Sequence, residues 1–146
     1  MAAEIYLHLG MEGHAETALL GGLATVMRDE TTSPHNIAFY RVYARLCIAQ
    51  NDPTSAGIYF KKAILCGGGA GGNIKKTSIA PHHHYHRQQQ HDYSYEMAQA
   101  CLEYGIFLLE SSCSSSSSSS SSPAQLVLNM MEAERSFRRG INVITR

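Results

Sequence analysis

Phe60-Lys61-Lys62-Ala63-Ile64 returns almost unchanged as Phe137-Arg138-Arg139-Gly140-Ile141. An aromatic residue, two cations, a small residue and isoleucine keep their order, so the chain uses one structural unit at least twice. Around each copy the apolar residues recur every three or four positions. That is the period of an α-helix buried along one side.

The unit can be traced from Pro34 to Gly67. Tyr40, Tyr43, Ala44, Cys47 and Ile48 form the stripe of a helix that ends near Asn51. Asp52-Pro53 reads as an N-cap followed by proline at the first helical position. Ala56, Phe60, Ala63 and Ile64 then make a second stripe, which Gly67 is suited to close. Two short helices joined by a tight turn form a hairpin. In a later copy, Met97, Cys101, Tyr104, Gly105 and Leu108 make the first stripe, and Leu126, Met130, Ala133, Phe137, Gly140 and Ile144 the second. Ala15, Leu19, Leu23 and Val26 predict a further helix from about residue 14 to 29, followed by Asp29-Glu30-Thr31-Thr32-Ser33-Pro34.

These hairpins resemble the tetratricopeptide repeat (TPR) family, whose 34-residue unit carries an aromatic residue, a Leu-Gly-like pair and Ala-x3-Phe. Tyr40, Tyr43-Ala44, Cys47, Ala56, Phe60 and Ala63 match one unit; Cys101, Tyr104-Gly105, Leu108, Ala133, Phe137 and Gly140 match another. The resemblance covers about three-quarters of the chain and departs from the pattern in having no tryptophan, and at Cys101 and Gly140. One 34-residue period plus insertions of 27 and 16 residues accounts for the 77 residues between Phe60 and Phe137. An earlier unit has two frames. Either Leu9-Gly10 is its Leu-Gly pair, or Tyr6, Gly10, Ala15 and Leu19 close a truncated repeat.

The resemblance implies an all-α fold of stacked antiparallel helix hairpins, a TPR-like α-solenoid fragment with two low-complexity loop insertions. Residues 1–66 would hold TPR-like hairpins and 67–92 a flexible Gly/His/Gln-rich insertion. Residues 93–146 would form a further hairpin interrupted by a Ser-rich loop at 111–122. Homopolymeric glycine, histidine and serine cannot bury enough apolar surface to hold a fixed shape. Repeat arrays need several units and polar caps, so the expectation is a piece of a longer array or a subunit completed by a partner.

The first helix of each TPR hairpin lines a concave groove. By that resemblance Arg41 and Arg45, one turn apart, face the groove and favour an acidic peptide. Leu102 and Ile106 take the matching places in the later unit and suit an amphipathic helix. Leu7 and Met11 stand there in the first unit, so the basic clamp of chaperone-binding TPR proteins is incomplete. The bland alternative for Arg41 and Arg45 is solvation or intramolecular ion pairing.

Composition narrows the remaining classes. Lys plus Arg and Asp plus Glu each number 12, which argues against a general nucleic-acid or membrane-surface binder. No apolar run reaches the roughly 18 residues of a membrane span, and Met1–Ala15 lacks the pattern of a secretory signal. Cys47, Cys66 and Cys101 sit among apolar neighbours, and none of the four cysteines forms a CxxC pair. This reads as reduced packing residues in an intracellular, cytoplasmic protein. His82, His83, His84 and His86, with His91 beyond, are weak metal-site candidates because their glycine and glutamine flanks fix no geometry. No nucleophile motif or phosphate loop is present, so the expectation is a protein-binding scaffold with no catalysis and no cofactor. The alternatives are a metal-binding His-rich loop and a helical-repeat regulator associated with nucleic acid.

Overall fold

The computed structural model describes residues 2–28, 34–68, 83–115 and 122–145, and they are all-helical, with no strand among them. Six helices follow one another: α1 (Ala2–His8), α2 (Glu12–Arg28), α3 (Pro34–Ala49), α4 (Pro53–Gly68), α5 (His83–Ser115) and α6 (Pro123–Ile144). They pack as consecutive pairs, α1 with α2, α3 with α4, and α5 with α6. The first helix of each later pair also rests on both helices of the pair before: α3 touches α1 and α2, and α5 touches α3 and α4.

The first two hairpins turn in the same way. After α1 the Met11 amide donates to the Tyr6 carbonyl and the Gly10 amide to Leu7; after α3 the Asp52 amide donates to Cys47 and the Asn51 amide to Ile48. These are paired Schellman bonds, which satisfy the last carbonyls of a helix and require a left-handed residue just beyond it. Gly10 has φ 70° and Asn51 φ 58°. The Asp52 carboxylate then accepts from the Ser55 amide at 3.0 Å, and hydrogen bonds from the Ser55 side chain first, then its backbone, hold the Asp52 pKa below the usual carboxylate value.

That shared turn fixes the place of Gly10. Gly10 belongs to the turn, as Asn51 does, and is not the packing glycine of a helix pair. Aligning the turns pairs Ala3 with Ala44, Ala15 with Ala56 and Leu19 with Phe60, and all six residues are buried. The first two hairpins are thus built alike around their turns.

Three apolar clusters run through the stack. Ala15, Leu19, Phe39, Val42 and Leu46 join the first two hairpins. Ile37, Ala63, Met97, Ala100 and Cys101 form the second cluster; Ala44, Phe60, Tyr104, Leu108 and Ala133 form the third. The Phe60 ring lies 5.9 Å from Tyr104 and 5.6 Å from Phe107, centroid to centroid. All four cysteines are free thiols, and burial raises the pKa of Cys47, Cys66 and Cys101.

Both low-complexity boundaries shift. The segment expected to be a loop to residue 92 is helical from His83, and the serine tract expected to begin a loop at 111 stays helical through Ser115. Residues 83–92 contain no glycine or proline, so a helix anchored by the packed residues after Tyr93 propagates back through them. At the other end the Ser112 hydroxyl is buried, donates to the Leu108 carbonyl at 2.7 Å and accepts from Asn129 at 3.3 Å. Residues 69–82 and 116–121 lie outside the described residues. No described helix is long and apolar enough to cross a membrane.

Candidate functional site

α3 carries Arg41 and Arg45 on successive turns, but the two have different fates. The Arg41 side chain is 3% exposed and meets a carboxylate from each side. Its Nη1 lies 3.3 Å from Glu4 on α1 and 2.9 Å from Glu103 on α5; its Nη2 lies 3.3 Å from Glu96 on α5. Burial works against the charge, yet Glu103, Glu96 and Glu4 outweigh it and the Arg41 pKa is raised. Arg45 is part-exposed, and its Nη1 also reaches Glu4, at 3.1 Å.

Arg41 is therefore not an available cradle for a peptide carboxylate, a role the sequence had pointed to. Its charge is consumed inside the molecule because α1 and α5 both present glutamates where the groove wall closes over α3. The preference for acidic ligands falls with it. Glu4, Glu96, Glu103 and Glu110 outnumber Arg41 and Arg45 around this face.

Above the arginines lies an open groove of about 400 Å³ lined from α1, α3, α4 and α5. Ile48, Phe60, Ile106 and Phe107 supply its apolar surface; Glu4, His8, Arg45, Gln99, Glu103 and Glu110 supply its polar surface. Of the four residues assigned to ligand binding from sequence, Arg45 and Ile106 meet here. Leu102 is exposed one turn before Ile106 but is not among the residues that line the groove. The residues that sequence reasoning missed are the glutamates. Glu96 and Glu103 are seven apart, two turns on one face of α5, and that spacing was the available signal.

His82 lies outside the described residues, as do the side chains of His83, His84, His86 and His91. Among the described residues no group of three His, Cys, Asp or Glu side chains is placed to hold a metal ion. Comparison with known proteins places no relative beside this chain: no family model, no curated protein and no solved structure matches it.

Proposed function

We propose that this chain is a non-catalytic, TPR-like scaffold that holds a partner helix or peptide in the groove between α1, α3 and α5. The observation that carries the reading is the groove itself. Ile48, Ile106 and Phe107 form an apolar floor backed by the buried Phe60, and glutamates dominate the rim. An apolar floor takes the apolar face of an amphipathic helix, while the rim carboxylates select cations along its edge. The stacking of each hairpin's first helix on the previous pair supports the repeat assignment. In this reading Arg41 is a positioning residue, which gathers Glu4, Glu96 and Glu103 without touching the ligand.

The test uses two synthetic amphipathic helices with the same apolar face, one bordered by lysines and the other by glutamates. Calorimetric titration of the full chain should show saturable binding of the lysine peptide and at least tenfold weaker binding of the glutamate peptide. Ile106→Asp, with helicity unchanged by circular dichroism, should abolish both. Equal or better binding of the glutamate peptide would overturn the charge assignment. Binding that ignores Ile106→Asp, or no binding of either peptide, would remove the groove as the docking site.

A further inference from the structure

Among the described residues that line the groove, His8 is the one whose charge changes near neutral pH. It stands exposed in the last turn of α1 and shares the lining with Glu4, Arg45, Glu103 and Glu110. Glutamate and arginine side chains keep their charges across that range, whereas an imidazole gains its proton between about pH 8 and about pH 5. With His8 neutral, the lining sets three carboxylates against one guanidinium; with His8 protonated, it sets them against two cations. A single proton thus removes half of the excess negative charge in the groove.

The packed elements supply no second group of this kind to the lining. α3 contributes Arg45, whose Nη1 lies 3.1 Å from Glu4, and α4 contributes only the uncharged Phe60. α5 contributes Glu103, held 2.9 Å from Arg41, and Glu110. α2 packs on α1, but its ionisable groups are engaged elsewhere. The His14 ring rests against Tyr6, 5.5 Å between centroids, and Glu16 accepts from Gln50.

We propose that His8 makes the groove pH-sensitive. The groove holds a lysine-bordered partner helix at neutral and mildly alkaline pH, and loosens its grip as His8 takes up a proton. The inference rests on the groove being the docking site for such a helix. Its sign follows from charge. An imidazolium in the lining repels the ammonium groups of the partner and offers the rim glutamates an internal cation in their place. The groove encloses about 400 Å³, so an occupant lies within about the 8 Å Debye length of physiological salt and feels this charge. Two unit charges about 7 Å apart in water-like surroundings change an affinity about threefold.

The probe is the lysine-bordered amphipathic peptide, free of histidine. Calorimetric titration of the full chain at about pH 8 and about pH 6 should show about threefold weaker binding at the lower pH. In His8→Gln the affinity should be the same at both. A second readout uses the native chain alone. Binding and protonation are reciprocal, so saturating peptide should lower the pH midpoint of the His8 ring signals, followed by nuclear magnetic resonance, by about 0.5. No binding at either pH removes the docking reading and this inference with it. Binding that is equal at both pH values, a pH difference that persists in His8→Gln, or an unmoved midpoint overturns this inference alone.

Discussion

At the scale of single residues, burial decides which charges matter. Arg41 and Arg45 look alike in sequence, yet only Arg41 is enclosed by three carboxylates. Arg41→Met leaves Glu96 and Glu103 without their cation, and Glu4 with Arg45 alone, and should cost about 3 kcal/mol in urea denaturation. The partial hydration of the carboxylates places the cost at the low end for a broken buried pair. Arg45→Ala should cost less than about 1 kcal/mol, as part-exposed pairs do. Tyr104 makes a second case. Burial first, then its hydrogen bond to Glu132 at 2.7 Å and the charge of Glu132, raise its pKa. An unfolded tyrosine releases its proton near about pH 10, while folded Tyr104 keeps it. Above that pH the unfolded state binds fewer protons, so stability falls as pH rises. Thermal melts across the alkaline range should show this decline, and Tyr104→Phe should make it shallower. It should not vanish, because burial also raises Tyr40, Tyr43 and Tyr93.

At the scale of elements, the helix stripes were legible because apolar spacing is a local property. The Asp52-Pro53 start, the Ala56-Phe60-Ala63 stripe and the correspondence of Gly105 with Ala44 needed no tertiary knowledge. The ends of α5 were not legible. Histidine and serine are weak helix formers, and the state of the tracts that hold them depends on what the adjoining turns pack against. Glycines separate the two kinds of information. A Cβ on Gly105 would lie 2.5 Å from the Phe137 ring, whereas one on Gly21 meets nothing within 4 Å. Gly105→Ala should therefore lower stability by about 1–2 kcal/mol, as ring displacement outweighs the gain in helix propensity. Gly21→Ala should raise it by about 0.5–1 kcal/mol. A pair of thermal melts distinguishes the two, and a gain at Gly105 would mean that Phe137 yields freely.

At the scale of the whole molecule, the all-helical class followed from periodicity, but the sign of the groove did not. Two arginines on α3 are visible in the sequence. That Glu4 lies 37 positions before Arg41 and Glu103 lies 62 positions after it, both at one guanidinium nitrogen, is a product of stacking. No local pattern couples residues so distant, so the site read as basic until its neighbours were in place. The same nitrogen has a further consequence. A stack of hairpins ordinarily behaves as a one-dimensional chain in which each unit feels only its neighbours and ends fray independently. Here Arg41 Nη1 binds a carboxylate from the first hairpin and one from the third, so melting of α1 is felt directly at α5. Hydrogen exchange should show α1 and the Glu96–Glu103 turns of α5 opening together in the native chain. In Arg41→Met they should open separately, with the stack reverting to a row of units that come apart from the ends.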